Sequence, residues 1–311
     1  MRIEDLVRLG WNTLRTVTVA DASAGSSEAR ILKGDCFVKL GKRSVIEPEA
    51  LVYQRLRAHL NSVADVLLPL TSLQMLDQDQ WALFVEPIEG EMLQSIILRS
   101  DLGSQMRVTS AVTQAMEHLE RLRAIEAPDP QAALQEFVIE LVAALRENLK
   151  RAEIADVLPE LDSQSRFSQY GKATLAHRDL SVVNVIVGAA GVKFIDPRAA
   201  VPNAGSWTGS YFASPAMDLI AFAVSLQRKE LELQAKQPTF QLSARQLVAQ
   251  ALTEQVRLRL VPPALVDLMW AVSWSVYAAC KCQYCLAPER VGLYQQMVAN
   301  TLTSLETLRE E

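Results

Sequence analysis

One stretch, residues 174–198, constrains the fold of this 311-residue chain more than any other. It holds two short β-branched runs, at 185–187 and 192–195, which are separated by Gly-Ala-Ala-Gly and therefore predict a β-hairpin. Asn184 comes just before the first run and Asp196 just after the second. Because antiparallel strands bring the start of one beside the end of the other, we expect both side chains at the open end of the hairpin.

A third polar side chain, Asp179, lies five residues before Asn184, so three oxygen-bearing groups are expected to converge at one point. Such hard ligands suit Mg²⁺ carrying phosphate oxygens, because this ion usually binds through one or two carboxylates and its substrate. Asn184 and Asp196 would hold the ion, and Asp179 would accept a hydroxyl proton or orient the attacking group. An ordinary strand pair with polar surface residues is the alternative, which the complete set at this spacing disfavours.

The order His-x-Asp-x4-Asn and then Asp resembles the catalytic loop and the metal-binding Asp of the protein kinase-like superfamily. Asp196-Pro-Arg after Lys-Phe-Ile looks like the aminoglycoside phosphotransferase branch of small-molecule kinases, and so does Ser181 where Ser/Thr protein kinases have lysine. Arg178 points the other way, because His-Arg-Asp is the protein-kinase form and the small-molecule branch more often has His-Gly-Asp. The resemblance implies that Asp179 is the catalytic residue and that His177 supports its loop.

The resemblance also implies an α+β, bilobal protein kinase-like fold, with a small five-stranded antiparallel N-lobe and a mostly helical C-lobe. A nucleotide-binding lobe at 1–86 would be joined by a hinge at 87–93 to a lobe at 94–311 that carries the catalytic hairpin and the acceptor-binding helices. Alternating apolar runs predict strands at 15–19, 29–33, 36–40, 66–76 and 81–86. Apolar residues at helical spacing predict helices at 48–60, 106–125, 131–151, 242–258, 263–284 and 289–308.

The nucleotide phosphates are expected between the predicted strands of the N-lobe. Lys39 closes an apolar strand, and the resemblance makes it the ligand of the α- and β-phosphates. Its flexible stem needs an acidic partner from the next helix, for which Glu49 is the choice and Glu47 the reserve. The loop between the first two strands would donate to phosphate oxygens, although an ordinary hairpin loop would look much the same. Its donors would be Gly25, Ser26 and Ser27.

Residues 81–93 resemble the hinge of the small-molecule kinases, a strand that runs into Glu-x-Ile-x-Gly-Glu-x-Leu. The resemblance implies that adenine bonds to the carbonyl of Glu86 and the N–H of Ile88, with Phe84 lining the back of the pocket. Downstream, Ser-Pro-Ala-Met-Asp-Leu resembles a family segment in which the Asp, here Asp218, accepts N–H groups of the catalytic loop. That duty is structural and not chemical.

Aromatic residues and cysteines leave alternatives open. The aromatic residues of loop 199–214 either flank the acceptor or anchor the loop: Trp207, Tyr211 and Phe212. A helical stripe of three more is expected to be core and not a cage for a cationic substrate: Trp270, Trp274 and Tyr277. Three cysteines form Cys-x-Cys-x2-Cys without a fourth ligand nearby, so packing cysteines are favoured over a zinc site: Cys280, Cys282 and Cys285.

Composition excludes several classes of partner. The net charge is −5 and no basic stripe is present, which disfavours nucleic acid. Acidic residues interrupt the N-terminus where an export signal would be apolar, and Asp267 interrupts the longest apolar stretch, at 262–280. We therefore expect a cytoplasmic protein without a membrane partner.

The predicted activity is transfer of the γ-phosphoryl group of ATP, with Mg²⁺, to a hydroxyl of a small molecule. Aminoglycosides, amino sugars, choline-like alcohols and natural-product alcohols all fit as acceptors, and neither the choice among them nor the oligomeric state follows from the sequence. One alternative is a protein kinase, indicated by His-Arg-Asp. The other is a catalytically weak nucleotide-binding scaffold, indicated by the single glycine of the phosphate loop.

Overall fold

The N-terminal part of the described chain forms a four-stranded antiparallel sheet. The computed structural model describes residues 29–33, 36–60, 64–75, 80–86, 88–157, 167–198, 211–280 and 288–310. The strand order is β1-β2-β4-β3, and the strands are β1 (Ala29–Lys33), β2 (Cys36–Lys42), β3 (Thr71–Met75) and β4 (Gln80–Val85). The strands predicted at 29–33, 36–40 and 81–86 are confirmed to within two residues. The predicted strand at 15–19 lies outside the described residues, as do Gly25, Ser26 and Ser27.

Strand β2 leads directly into helix α1 (Arg43–Leu60), without a loop. The predicted start at residue 48 is therefore wrong by five residues. Proline is typical of the first turn of a helix, but here an exposed Arg43–Glu47 pair already supports a first turn that begins at residue 43. The first part of the strand predicted at 66–76 is also wrong. The chain forms a short helix α2 (Ala64–Leu67) there, whose apolar ends are buried.

After β4 the chain crosses to a second, three-stranded sheet, ordered β5-β7-β8. Its strands are β5 (Glu91–Met92), β7 (Val185–Gly188) and β8 (Gly191–Phe194), so the predicted hairpin is confirmed. The crossing segment lies against this hairpin, because a Cβ at Gly188 would stand 2.3 Å from the carbonyl oxygen of Glu89. Only glycine allows the two backbones to approach so closely.

The remainder of the described chain is mostly helical, with one two-stranded sheet of β6 (Thr174–Leu175) and β9 (Phe212–Ala213). The helices are α3 (Leu93–Arg99), α4 (Leu102–Arg123), α5 (Pro130–Arg151), α6 (Met217–Gln234), α7 (Ala244–Arg257), α8 (Pro263–Ala278) and α9 (Pro288–Glu310). The predicted helices are confirmed to within four residues at each end, except that α8 ends at 278 and not 284. Within the described ranges, no helix is long and apolar enough to cross a membrane.

Two hydrophobic clusters form the core. The first contains residues of the N-terminal sheet and α1, such as Leu83 and Tyr53, together with Phe194 of the hairpin and Phe222 of α6. The second joins α5, α8 and α9, and it contains Trp274, which is 3% exposed. The first cluster matters for the site, because it packs the helix that carries Glu49 against the hairpin that precedes Asp196.

Candidate active site

One buried carboxylate binds the backbone of the loop between β6 and β7. Asp218 lies in the first turn of α6, and its two oxygens accept the backbone N–H groups of His177 and Arg178, each at 2.8 Å. Burial raises the pKa of Asp218 to about 6, against the two N–H donors and the nearby guanidinium groups, which lower it. This grip fixes the backbone immediately before Asp179.

The imidazole of His177 ties the same loop to the hairpin. Its Nε2 lies 2.9 Å from the carbonyl oxygen of Ile195, which makes Nε2 the protonated nitrogen, since a carbonyl only accepts. The ring also meets Phe194 edge-on, with centroids 5.7 Å apart. Burial lowers the pKa of His177 to about 4, so the ring is neutral at pH 7.

Asn184 and Asp179 meet where the loop enters β7. The amide nitrogen of Asn184 donates to the backbone carbonyl of Asp179 at 2.7 Å, and the carbonyl of Asn184 accepts the N–H of Ile195 at 3.0 Å. Because Nδ2 is used for the loop, Oδ1 is the amide atom that can face a cation. Asn184 is thereby held beside the residue that precedes Asp196.

Lys39 connects the N-terminal sheet to Asp196. Its Nζ lies 2.5 Å from Oε1 of Glu49 and 3.0 Å from Oδ1 of Asp196, and its side chain is 8% exposed. Glu47, the reserve partner, instead pairs with Arg43 on the surface at 2.8 Å. Of the two glutamates, the structure therefore brings Glu49 to Lys39.

Helix α1 also contacts Asp196 directly, through Tyr53. The hydroxyl of Tyr53 accepts the backbone N–H of Asp196 at 2.7 Å. Glu49 and Tyr53 are four residues apart, which puts them on one face of the helix. Asp196 itself has φ +56°, in the left-handed region, so helix α1 supports a backbone conformation that is uncommon for a non-glycine residue.

The carboxylate of Asp179 is bound by a guanidinium that the sequence did not single out. Nε of Arg198 lies 2.7 Å from Oδ2 of Asp179, and the backbone N–H of Arg198 donates to the carbonyl of His177 at 3.0 Å. Burial raises the pKa of Asp179 and the charge of Asp196 adds to this, while Arg198 and Lys39 lower it. Asp179, Asp196, Lys39 and Arg198 therefore form one interacting charged cluster.

This donor set fits a magnesium ion. Burial is the main cause of the raised pKa of Asp179, and repulsion by Asp196 adds to it; a divalent cation at Asp196 and Asn184 would relieve that repulsion. Carboxylate and amide oxygens are ligands that Mg²⁺ accepts. Lys39 adds a buried ammonium beside the same place, which suits an anionic ligand.

The residues predicted to hold adenine lie where the chain leaves the N-terminal sheet. Phe84 is half-buried in β4, opposite Val38 and Ser72. The backbone N–H of Glu86 donates to the carbonyl of Leu70 at 2.8 Å, and its carboxylate accepts the Leu70 N–H at 3.0 Å. Glu86, which follows β4, is thus held by the residue just before β3. Its bond to adenine, and that of the half-buried Ile88, stay predictions.

The loop aromatics that the structure describes contact helix α1. Tyr211 is 6% exposed and lies under the guanidinium of Arg55 at 5.3 Å, and Phe212 meets the ring of His59 edge-on at 5.6 Å. Of the two open possibilities, these two side chains are loop anchors. Trp207 lies outside the described residues.

The cysteine pattern can be followed only at its first member. The thiol of Cys280 donates to the carbonyl of Val276 at 3.3 Å, as a packing cysteine would. Cys282 and Cys285 lie outside the described residues. Among the residues that the structure does describe, no group of three or more His, Cys, Asp or Glu side chains could hold a metal.

Comparison with known proteins places the fold. No protein-family model matches the chain, and no curated protein is significantly similar in sequence. A glucosamine kinase in complex with glucosamine, ADP and inorganic phosphate matches with a TM-score of 0.51 at 15% identity, over 93% of this chain and 77% of that one. A choline kinase from Streptococcus pneumoniae matches with a TM-score of 0.51 at 12% identity, over 97% and 98%.

The chain has the fold of the small-molecule kinases. The predicted bilobal protein kinase-like fold is thereby confirmed, with four strands of the N-lobe sheet in the described part of the chain. An aminoglycoside phosphotransferase in a ternary complex with streptomycin and ATP also matches, with a TM-score of 0.49 at 14% identity, over 98% of each chain.

Proposed function

We propose that the chain is an ATP-dependent phosphotransferase that moves the γ-phosphoryl group to a hydroxyl of a small molecule. One observation carries the proposal: Lys39 bridges Glu49 and Asp196, and Asp179 stands beside them in the same charged cluster. A kinase fold alone would not require this arrangement. A chain that had lost the activity would have no chemical need for it.

Each group has a defined role in this reaction. Lys39, held by Glu49, would grip the α- and β-phosphates. Asn184 and Asp196 would hold Mg²⁺, which when bound neutralises phosphate charge. Asp179 would orient the acceptor hydroxyl and take its proton, while the hydroxyl oxygen bonds to the γ-phosphorus and the bond to the ADP oxygen breaks. Alignment and charge neutralisation supply most of the acceleration.

The supporting groups would keep Asp179 aimed and ionised. Burial raises the pKa of Asp179, and the paired guanidinium of Arg198 opposes that rise and so favours the ionised carboxylate that can accept a proton. Asp218 and His177 would fix the loop that carries it. The adenine pocket would be formed by the carbonyl of Glu86, the N–H of Ile88 and the ring of Phe84.

A protein kinase is the less favoured alternative. Loop phosphorylation in such enzymes works by creating new pairs between the phosphate and arginine. Here the arginine of His-Arg-Asp, Arg178, is fully buried and pairs with Glu140. That burial disfavours a protein kinase that is regulated by loop phosphorylation through Arg178.

A panel of alcohols scored for ADP release tests the proposal. Glucosamine, choline and aminoglycosides belong in the panel, because the structural neighbours bind molecules of these classes. We expect Mg²⁺-dependent ADP release with at least one of them, and a loss on the order of a thousandfold in Asp179→Asn. An Asp179→Asn variant as fast as the parent would refute the role of Asp179, and serine phosphorylation of a generic protein substrate in place of the alcohols would support the alternative.

A further inference from the structure

Arg178 has a backbone conformation that arginine rarely adopts. Its φ is +66°, in the left-handed region where a Cβ is unfavourable and glycine is not. The residue lies between His177 and Asp179, so this turn determines where the Asp179 carboxylate points. Something in the fold must hold an arginine in a place that suits glycine.

The side chain of Arg178 contacts helix α5. Its Nη2 donates to Oε2 of Glu140, and its guanidinium lies 5.5 Å from the ring centroid of Phe137. Glu140 and Phe137 are three residues apart on α5 and therefore share a face. The side chains of the pair are 0% and 3% exposed, so water does not screen it.

The loop before Asp179 is thus held both through its backbone and through a side chain. Asp218 of α6 binds its backbone N–H atoms, and Glu140 of α5 binds its side chain. Removing one partner of a buried ion pair is far more disruptive than replacing both by apolar groups of similar volume.

We infer that Glu140 is a positioning residue for the phosphoryl transfer: through Arg178, it holds the catalytic loop in the left-handed turn that aims Asp179 at the acceptor hydroxyl. This inference rests on the proposed function. It does not give Glu140 any contact with the nucleotide, because the proposed contacts lie on β2, on β4 and the residues that follow it, and at the hairpin. Loss of Glu140 should therefore lower kcat and leave the KM for ATP nearly unchanged.

A set of variants separates this role from simple stabilisation. Glu140→Leu leaves the buried guanidinium without its carboxylate, and the double variant Glu140→Leu with Arg178→Met replaces the pair by apolar groups. Glu147→Leu is the matched control, because Glu147 is on the same helix and pairs with Arg151 at the surface at 2.8 Å. All rates are measured at a temperature at which every variant is folded.

We expect Glu140→Leu to lower kcat on the order of tenfold to a hundredfold, with KM for ATP within about twofold, because small misplacement of a reacting group has effects of this size. The double variant should regain stability but keep a lowered kcat, because it too lacks the anchor of the loop, and Glu147→Leu should match the parent. If Glu140→Leu does not fold, the double variant takes its place under the same criteria, because it leaves no buried charge unpaired.

Hydrogen–deuterium exchange of the peptide that spans 177–184 gives a readout independent of turnover. Exchange should be faster than in the parent in both Glu140→Leu and the double variant, because both lack the pair that holds the loop. An unchanged kcat and exchange rate in Glu140→Leu, or a double variant with the kcat and exchange rate of the parent, would overturn the inference. If the parent releases no ADP with any acceptor, the proposed function fails, and the exchange result still decides whether Glu140 anchors the loop.

Discussion

His177 and Asp218 are both buried beneath the catalytic loop, and burial moves their pKa values in opposite directions. The pKa of His177 falls from 6.5 to about 4, so the stability that this residue contributes is present above pH 6.5 and is lost as the pH falls to 4. The pKa of Asp218 rises from 3.8 to about 6, so the stability that this residue contributes is present below pH 3.8 and is lost as the pH rises to 6. Between pH 4 and 6 the two effects oppose each other.

The variant His177→Gln isolates the first effect, because Asp218 titrates in both proteins. The amide can still donate to the carbonyl of Ile195, but it takes no proton in acid. We expect the stability advantage of the parent to shrink by about 3 kcal/mol between pH 7 and pH 4, since each pKa unit is worth about 1.4 kcal/mol. Urea unfolding at several pH values measures it, and curves that stay parallel would show that His177 is not buried as a neutral ring.

Glu49 and Glu47 provide a matched pair on one helix. Glu49→Gln keeps the shape of the partner of Lys39 but removes its charge, which should raise the KM for ATP about tenfold, as expected for loss of a charge-assisted hydrogen bond. Glu47→Gln touches only the exposed Arg43 and should leave the KM unchanged. Steady-state kinetics with varied ATP compare the two. Equal effects would mean that Lys39 does not depend on Glu49.

At the level of elements, periodicity in the sequence predicts well what local contacts determine. The alternating runs of β1, β2 and β4 and the apolar spacing of α4 and α5 give their positions to within a few residues. Periodicity does not predict the start of α1, because the exposed Arg43–Glu47 pair in its first turn is a weaker sequence signal than proline. The helix at Ala64–Leu67 is too short for periodicity to reveal.

The same distinction applies to the site. The residues that the structure gathers at Lys39 and Asp196 lie in motifs whose spacing is visible in the chain. Tyr53, Glu140 and Arg198 were not singled out, because each acts through a contact that no local pattern encodes. Tyr53 and Asp196 are 143 positions apart, and Glu140 and Arg178 are 38 apart. Only the packing of α1 and α5 against the loop brings them together.

Helix α1 supports Asp196 through Tyr53, and Tyr53→Phe tests that link. The change removes the acceptor of the Asp196 N–H and leaves the ring in the core. We expect a loss of about 1 kcal/mol in the free energy of unfolding and half-maximal turnover at a higher Mg²⁺ concentration, because a less firmly placed Asp196 would bind the ion more weakly. Arg43→Ala, in the same helix but at the surface, is the control. A variant with the stability and Mg²⁺ response of the parent would contradict the link.

At the scale of the whole molecule, one hydrophobic cluster runs from the N-terminal sheet and α1 to α6 and α7. The charged cluster lies at this junction, with Lys39 from the sheet and Asp196 from the hairpin. A ligand that binds between them contacts both parts of the molecule only in the folded state. Binding should therefore stabilise the protein as a unit, by mass action.

Thermal unfolding of Asp179→Asn with Mg²⁺ and ATP tests this, because the variant should bind ATP without consuming it. At a hundred times the dissociation constant, binding adds about 2.7 kcal/mol, which corresponds to a rise of several degrees in Tm. The same variant with Lys39→Met added, or with Mg²⁺ chelated, should show a much smaller rise, because each change removes a positive charge that the phosphates need. An equal rise in all three would mean that ATP binds elsewhere, and the junction of the two parts would then not be the nucleotide site.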